Sequence, residues 1–500
     1  MFITPFLILS LFSLINSYNI NKFSKSLFPY VKVLHQNVRN TKEENNNIYI
    51  PKDKQKEHIN FNIENFPVKN DAINNKDLYF FKNNETFSTL HVQKLLVEEL
   101  DKNNIQVPSI IQSDLLKYYN KNSENLKNII IAAENGIGKT LSYIIFILNH
   151  ILKKKKNVFV LIFQYNSLLS NQCYDILKRL SRDINVKITC LKNDETIKLN
   201  TNSIVISSPI KFVAYMKENK DVVTHFLENL NFFIIDEVDI MFDKPYIKYI
   251  SEVYEEIDKL NSHSDEEQNN DNCSDDKGKG KCISIITSST LSNKGTKSVY
   301  NNIINYIKDY VMIKTTNFHN IHPFINYNFI NLPNYNINQK IDAIKNILLK
   351  TNHKKVIIFC NTVKSCNTTF SVLKPHFDHI YSFNSSLKKE DQILILDYFK
   401  NSEDNVILVS TDIIHRGIDI KNITHLFHFD TPTNIIVYTH RNGRISRGAN
   451  TGDIYIFNDT ENLITKKIYD FHKNNIKFED IFSRKRSLRK NYKKQLKKIE

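Results

Sequence analysis

Residues 128–148 read NIIIAAENGIGKTLSYIIFIL: an apolar run, a short loop with two glycines, and a second apolar stretch. The whole chain has nine glycines among 500 residues, and Gly136 and Gly138 lie two positions apart in this loop. Glycine costs backbone entropy, so it is kept where the chain needs a positive φ or a close approach to a ligand. The first run predicts a strand and the second an amphipathic helix, with the loop between them.

The loop AENGIGKT has the composition of a phosphate-binding (Walker A) loop. Backbone N–H groups of a glycine-rich turn point inward, and the helix N-terminus adds a partial positive charge. Lys139 is expected to reach the β- and γ-phosphates of a nucleotide, and Thr140 to ligate Mg²⁺. Ala133 stands where such loops usually have their first glycine. The predicted binding residues are Ala133, Glu134, Asn135, Gly136, Ile137, Gly138, Lys139 and Thr140.

A further apolar run, NFFIIDEVD at residues 231–239, ends in acidic residues. Asp236 is expected to hold Mg²⁺ through water, and Glu237 to orient and deprotonate the water that attacks a phosphate. An acidic turn at the end of a strand is the alternative interpretation. Because both motifs are present in the right order, the sequence favours nucleotide hydrolysis.

Six of the nine glycines lie in three short stretches: the loop above, STDIIHRGIDI (410–420) and YTHRNGRISRGANTG (438–452). In the last stretch Arg441, Arg444 and Arg447 recur every three residues. A phosphoryl group that is being transferred needs its charge neutralised, and arginine fingers supply this. If these arginines come from a second domain, hydrolysis requires the domains to close. A basic surface loop is the alternative, but the sparing use of glycine argues against it.

Apolar runs rich in Ile, Val and Phe alternate with helical stretches in two blocks. Continuous apolar strands between helices are typical of parallel sheets that are covered on both faces. The sequence therefore predicts an α/β protein with two tandem domains, each a mostly parallel sheet flanked by helices. The predicted strands are 128–133, 158–163, 203–207, 232–236 and 282–287 in the first block, and 355–360, 379–383, 405–410, 425–429 and 453–457 in the second.

The composition indicates a globular protein with a polyanionic partner. Hydrophobic residues make up 41% and charged residues 24% of the chain, which excludes a chain that is disordered overall. The net charge of +15 favours nucleic acid as the partner, although the abundance of lysine inflates this signal. The six cysteines form no CxxC pair and no zinc-like cluster with histidine, so we interpret them as incidental reduced thiols.

The N-terminal sequence predicts a targeting leader. Residues 2–15, FITPFLILSLFSLI, are apolar and uncharged, too short to span a bilayer comfortably, and small Ser17 follows at a plausible cleavage position. Residues 18–40 are basic, contain serine and lack acids, as transit peptides do. Together they resemble the bipartite leader of a secondary-plastid protein; a mitochondrial or secretory destination is the alternative. We expect no stable membrane association after removal of the leader.

Polar segments set the expected domain boundaries. The stretch 259–281 is almost free of large apolar residues, which predicts a disordered surface insertion. The final stretch carries nine basic residues and one acid, which slightly favours a nucleic-acid contact over simple solubility. The predicted segments are 1–17 (signal-like), 18–85 (transit-like segment and polar linker), 86–315 (first domain), 325–482 (second domain) and 483–500 (basic tail).

Taken together, the motifs resemble those of the DEAD-box RNA helicases of helicase superfamily two, over residues 86–480. DEVD stands for the family's DEAD, TDIIHRGIDI for TDxxxRGxD, HRNGRISR for HRIGRTGR, and TSST (287–290) for SAT. NIQVPSIIQ (104–112) is similar to the family's adenine-reading Q motif, with Phe87 seventeen residues before Asn104. The resemblance implies RecA-like domains, ATP and Mg²⁺ as cofactors, and RNA as the partner, with room for a protein cofactor.

The resemblance implies a role for each matching residue. Gln112 would hydrogen-bond the adenine edge, Phe87 would stack on its ring, and Asp419 would hold the ribose hydroxyls. Ser288 and Thr290 would couple the nucleotide site to the RNA site. His440 would join the state of the γ-phosphate to domain closure, with Arg444 and Arg447 as the fingers. The implied catalytic residues are Lys139, Glu237, His440, Arg444 and Arg447.

The implied RNA contacts come from both domains. They are to phosphate and sugar, so binding is expected to be nearly independent of base sequence and sensitive to salt. The first domain would contribute Ser208 and Pro209, and the second Thr362 and Thr411.

Several motifs that contact RNA in the family are altered. QYNSL (164–168) stands where the family has PTREL, the glycine pair expected before SSPIKF is absent, and an arginine expected near KKEDQ (388–392) is missing. Asn442, Ile445 and Ser446 replace the usual Ile, Thr and Gly. Since nearly all residues that touch ATP are kept, we expect an intact ATPase with a weakened or different RNA grip.

The favoured interpretation is an ATP-dependent RNA helicase that remodels or locally unwinds RNA duplexes or RNA–protein complexes. The alternative is an ATP-gated RNA clamp or scaffold with little unwinding activity. A DNA helicase fits the Q motif less well.

Overall fold

Two seven-stranded sheets, each flanked by helices, organise the structure. The computed structural model describes residues 61–67, 80–81, 85–191, 196–242, 246–268, 282–291, 299–414, 420–445 and 451–474. All of these belong to one compact unit, Ile59–Glu500. The predicted leader and the basic tail lie outside the described residues. Among the helices that are described, none is both long and apolar enough to cross a membrane.

The first sheet has the strand order β4-β5-β3-β6-β7-β2-β8, and all its neighbouring strands are parallel. Its side chains alternate between two cores: Ile129 and Ile131 of β2 pack on one face, and Ile130 and Ala132 on the other. This burial on both faces explains why the strands are continuously apolar. The strands are β2 (Asn128–Ala132), β3 (Phe159–Phe163), β4 (Lys187–Cys190), β5 (Ser203–Ser207), β6 (Leu230–Ile235), β7 (Ile283–Ser288) and β8 (Tyr310–Lys314).

The second sheet has the order β1-β9-β14-β13-β10-β12-β11 and is parallel except for the antiparallel pair β1–β9. Its faces are also covered on both sides, with Ile357 and Phe359 of β10 in one core and Val356 and Ile358 in the other. The strands are β1 (Asn62–Phe66), β9 (Ile325–Asn331), β10 (Lys355–Phe359), β11 (Ile380–Phe383), β12 (Val406–Ser410), β13 (Ile423–His428) and β14 (Gly452–Phe457).

Helices connect the strands of both sheets. The α-helices are Lys94–Lys102, Ile110–Asn122, Lys139–Lys153, Ser167–Leu180, Pro209–Glu218, Lys220–Glu228, Val238–Met241, Ile247–Gln268, Val299–Tyr306, Ile337–Lys350, Val363–Leu373, Lys389–Asn401, Ile435–Asn442 and Leu463–Asn474. The α/β fold with two mostly parallel sheets is confirmed, and each of the ten predicted strands is present with its ends shifted by at most two residues.

Two segment predictions need correction. β1 lies inside the predicted linker, where it pairs with β9 because Ile63 and Phe66 supply apolar contacts to the second domain. The helix Ile247–Gln268 continues into the stretch predicted as a disordered insertion, whose remainder, 269–281, lies outside the described residues.

Candidate active site

The loop after β2 has the backbone that its glycines predict. Gly136 and Gly138 have φ angles of 85° and 95°, in the left-handed region that glycine adopts most easily. Gly138 caps the helix Lys139–Lys153, and a Cβ there would come within 2.6 Å of Gln112 Nε2. Both glycines are therefore required by conformation, and the second also by close packing.

The Lys139 ammonium group is buried inside this loop. Its Nζ donates hydrogen bonds to the carbonyl oxygens of Ala133 (2.9 Å) and Glu134 (3.0 Å) and to Ser289 Oγ (2.9 Å). Burial lowers the pKa of Lys139, while the nearby carboxylates, Glu237 first among them, act to raise it. A buried cation within a glycine-rich loop fits the binding of phosphate oxygens.

The Asp236 carboxylate, which follows β6, accepts hydrogen bonds from four side chains. Thr287 donates to Oδ1, and the donors to Oδ2 are Thr140 Oγ1 (2.9 Å), Tyr143 OH (3.0 Å) and Gln164 Nε2 (3.0 Å). The predicted Mg²⁺ residues, Thr140 and Asp236, are therefore in contact. A hydroxyl and a carboxylate, completed by water and phosphate oxygens, fit this ion. Nowhere in the described ranges do three or more His, Cys, Asp or Glu cluster as a metal site.

Glu237 has the backbone and surroundings of a residue under functional constraint. Its φ of 55° is unusual for glutamate, and its N–H donates to Thr287 Oγ1 at 3.0 Å. Its Oε2 is buried without a hydrogen-bond partner among the described residues. Burial raises the pKa of Glu237; the charges of His440 and Arg444 act to lower it, and that of Asp236 to raise it. A carboxylate with an unused oxygen can accept a proton from water.

The two domains meet at the Asp239–His440 pair. His440 Nε2 lies 3.2 Å from Asp239 Oδ2, and Thr290 Oγ1 donates to the same oxygen at 2.5 Å. Burial acts to raise the pKa of Asp239, but His440 and the hydrogen bonds outweigh it and lower that pKa. Ser288 Oγ donates to Thr290 O at 3.0 Å. The structure thus brings Thr290 and His440 together on Asp239, and the coupling roles of Ser288, Thr290 and His440 stay predictions.

The arginines that recur every three residues have different positions. Arg444 is buried, donates from Nε to His440 O at 3.3 Å, and lies near enough to Glu237 for its charge to lower that pKa. Arg441 instead binds within the second domain, to Asp412 Oδ1 (2.6 Å), Asp430 O (3.0 Å) and Asn361 Oδ1 (2.7 Å). Arg447 and Asp419 lie outside the described residues.

The Q-motif residues form a buried capping structure. Gln112 Oε1 accepts from the N–H of Ser109 at 2.9 Å, and Nε2 lies 3.5 Å from Gly138 O, which joins the motif to the phosphate loop. The ring of Phe87 is only 1% exposed and packs in the first-domain core. Stacking on adenine stays a prediction for Phe87, and it requires the ring to be uncovered.

The residues expected to contact RNA all follow parallel strands. Ser208 precedes the helix Pro209–Glu218 after β5, with Pro209 as its first residue. Thr362 caps the helix after β10, where its hydroxyl accepts from Ser365 N at 3.0 Å, and Thr411 follows β12 directly. Their positions are compatible with a shared surface at the carboxyl ends of the strands, and their RNA contacts stay predictions.

The expectation that the altered motifs affect only the RNA side is wrong for Gln164, and Asn135 and Ser289 make further contacts at the site that the motifs did not predict. Gln164, the first residue of QYNSL, binds Asp236 and Tyr143 OH (2.9 Å). Asn135 and Ser289 contact each other and Lys139 or the second domain. Gln164 was predicted to be part of an altered RNA motif, Asn135 was predicted only as a member of the loop, and Ser289 was not predicted at all.

Comparison with known families agrees with this geometry. Residues 110–298 match the DEAD/DEAH box helicases, and residues 339–449 match the helicase conserved C-terminal domain. The ATP-dependent RNA helicase DBP6 of Vanderwaltozyma polyspora is 25% identical over 415 residues, which cover 79% of this chain and 60% of that protein. RhlB of Shewanella baltica is 22% identical over 339 residues, covering 65% and 70%. This chain thus spans about 60% of the length of the DBP6 relative.

Solved structures share the fold. Dbp5 of S. cerevisiae bound to RNA and ADP BeF3 has a TM-score of 0.60 and 18% identity, over 78% of this chain and 93% of that one. Mss116p bound to ssRNA and AMP-PNP has a TM-score of 0.64 and 21% identity, over 79% of each chain. Two RecA-like domains that join a phosphate loop, an acidic motif and a buried arginine define a helicase core. Within that class, the chain belongs to the DEAD-box helicase family.

Proposed function

We propose that this chain is an ATP-dependent RNA helicase that hydrolyses ATP to remodel or locally unwind RNA duplexes or RNA–protein complexes. The Asp239–His440 contact carries the proposal, because it joins the acidic motif of one domain to the helix of the other, Ile435–Asn442, that Arg444 follows by two residues. The hydrolytic residues therefore come together only when the domains meet. The names of the curated relatives, ATP-dependent RNA helicases, support the same activity.

Different residues bind the phosphates, activate the attacking water and neutralise charge during ATP hydrolysis. The loop N–H groups and Lys139 bind the phosphates, and Glu237 takes a proton from the attacking water. Arg444, whose charge acts to lower the pKa of Glu237, neutralises charge that develops on the transferred phosphoryl group. Mg²⁺ would be held by Thr140 and, through water, by Asp236, and when bound it supplies charge neutralisation at the phosphate oxygens.

The alternative function is an ATP-gated RNA clamp or scaffold with little unwinding activity. The altered motifs QYNSL and KKEDQ favour it, since they remove charged residues that the family has at these positions. Such a clamp would depend on a protein cofactor for release. Its signature is a long-lived RNA complex with slow turnover.

The first experiment measures steady-state ATP hydrolysis by residues 59–500, with and without single-stranded RNA. This shortened protein retains β1, which belongs to the second sheet. We expect stimulation by RNA that Lys139→Ala abolishes, and a trapped RNA-bound state for Glu237→Gln. An ATP hydrolysis rate that RNA does not change would favour the clamp. Normal turnover by Glu237→Gln would overturn the role of Glu237.

We also propose that the protein acts in an organelle, a secondary plastid in the first place, as the composition of residues 1–40 suggests. A fluorescent protein fused after residue 85 tests this in cells that contain such a plastid. Accumulation in the plastid is the expected result, and secretion or mitochondrial signal would favour the alternatives.

A further inference from the structure

A chain of hydrogen bonds runs from the phosphate loop into the second domain. Lys139 Nζ donates to Ser289 Oγ (2.9 Å), Ser289 Oγ donates to Asn135 Oδ1 (2.5 Å), and Asn135 Nδ2 donates to Thr439 O (3.1 Å). We propose that Asn135 and Ser289 are positioning residues that tie Lys139 to the second domain, so that domain closure places this lysine for hydrolysis. The inference rests on the proposed ATPase.

The direction of each hydrogen bond in this chain is fixed by chemistry. The Thr439 carbonyl can only accept, so the Asn135 amide must turn its nitrogen toward it and its oxygen toward Ser289. Since Asn135 Oδ1 accepts, the Ser289 hydroxyl donates its one proton there and is left to accept from Lys139. All three protons of Lys139 are used, by Ala133, Glu134 and Ser289. The chain of hydrogen bonds therefore has only one consistent arrangement of donors and acceptors.

Close packing of the two domains accompanies the hydrogen bond at Asn135. A Cβ built on Gly443 would come within 2.5 Å of Asn135 Cβ, so the second domain lies directly against this side chain. Asn135 and Ser289 are both buried, where a hydrogen bond has little competition from water. The contact is thus specific in shape as well as in polarity.

The arrangement forms a second link beside the Asp239–His440 pair. Thr439 and His440 are neighbours in the helix Ile435–Asn442, and they reach the phosphate loop and the short helix Val238–Met241 of the first domain. Ser289 and Thr290 are neighbours too, and they support the two links separately. One link ends on the acidic motif and the other on the phosphate-loop lysine. Loss of one should therefore leave the other in place.

The test compares the full chain with Asn135→Asp, Asn135→Ala, Ser289→Ala and the Asn135→Ala/Ser289→Ala double variant. Asn135→Asp still accepts from Ser289 but cannot donate to Thr439. Asn229→Ala is the matched control, since Asn229 Nδ2 donates to a helix carbonyl, His225 O, on the surface of the first domain. The readouts are kcat and KM for ATP with RNA, and amide exchange of residues 133–140 and 435–445 with AMP-PNP and single-stranded RNA.

We expect each single variant, which breaks one or two hydrogen bonds of the hydrogen-bond chain, to lower the RNA-stimulated kcat about fivefold. KM for ATP should stay nearly unchanged in the two alanine variants. The kcat of the double variant should be little lower than that of either single variant, because Asn135 and Ser289 act in one chain of hydrogen bonds. Protection of residues 435–445 from amide exchange should fall in Asn135→Asp and stay unchanged in the control Asn229→Ala. Additive losses, or unchanged protection in Asn135→Asp, would overturn the inference. A wild-type chain without RNA-stimulated hydrolysis would instead overturn the proposed function, and the exchange data would still test the link.

Discussion

At the scale of the residue, Asp236 shows what motifs reveal and what they leave out. Its position after an apolar strand and its closeness to Thr140 follow from the motifs, and its role in holding Mg²⁺ stays a prediction. The contact with Gln164 does not, because it depends on β3 and β6 being neighbours in the sheet. Phe163 pairs with Ile235, so the residues that follow them are placed side by side. Strand order is a property of the tertiary fold that local sequence does not encode.

Removal of a donor from Asp236 should weaken the binding of Mg²⁺ and ATP together. Tyr143→Phe and Gln164→Leu each delete one hydrogen bond to Oδ2, so the carboxylate is held less firmly beside Thr140. We expect the Mg²⁺ concentration that gives half-maximal hydrolysis to rise about fivefold in each variant. Titration of Mg²⁺ at saturating ATP measures this.

Tyr254→Phe is the control for these variants, because that buried hydroxyl donates to Ser284 Oγ (3.1 Å) in the core of the first domain, not to Asp236. A response to Mg²⁺ that is the same in Tyr143→Phe and Tyr254→Phe would mean that Asp236 does not depend on its outer donors.

The acid limb of the pH profile should depend on Arg444. In the proposed mechanism hydrolysis needs the Glu237 carboxylate, so the rate should fall as the pH drops through the pKa of Glu237, which burial has raised. The Arg444 charge acts to lower that pKa, and Arg444→Gln should therefore raise it further and move the acid limb to higher pH. Single-turnover rates between about pH 5 and 8 measure the limb.

Arg444→Lys is the matched variant, since it keeps the charge at this position but loses the guanidinium geometry. Its acid limb should stay near that of the wild type even though its rate is reduced. If the acid limb does not move in Arg444→Gln, Glu237 is not the group whose protonation sets the acid limb of the pH profile.

At the scale of the element, three of the four strands that the sequence failed to predict are edge strands. β4 and β8 are the two edges of the first sheet and β1 is one edge of the second, whereas β9 is paired on both sides, with β1 and β14. Edge strands have one unpaired side and need not be buried on both faces, so they carry polar residues, as in NIENF of β1. The central strands were predicted because burial on both faces makes them continuously apolar.

β1 should stabilise the second domain through Phe66. Its ring contacts Phe329 and Tyr469 edge to face, with centroids 5.5 and 6.2 Å apart. Phe66→Ala should cost about 2 kcal/mol from lost apolar burial and aromatic contacts. Amide exchange in β9, the antiparallel partner of β1, should then accelerate about thirtyfold.

The exposed Asn65→Ala on the same strand is the control for Phe66→Ala. It keeps the backbone pairing of β1 and removes no apolar contact, so exchange in β9 should hardly change. Equal exchange in the two variants would mean that β1 is held by its backbone alone.

At the scale of the whole molecule, charge is unevenly distributed along the chain. Residues 483–500 contain nine basic residues and one acid, a charge of +8, so +7 of the total +15 remains on the other residues. RNA binding through phosphates releases counterions, and each neutralised phosphate of a single strand contributes about −0.7 to the slope of log K against log salt. The tail is therefore expected to contribute to affinity without sequence preference.

Deletion of residues 483–500 should make the slope of log K against log salt less negative by about 1.5. This change is equivalent to about two phosphate contacts. Measurement of single-stranded RNA affinity at several salt concentrations gives the slope. A tail of equal length with its Lys and Arg changed to Ser and Asn separates charge from length, and it should behave like the deletion. If both variants keep the wild-type slope, the remaining +7 and the strand-end surfaces near Ser208, Thr362 and Thr411 must supply the RNA contacts, and the expected contribution of the tail is wrong.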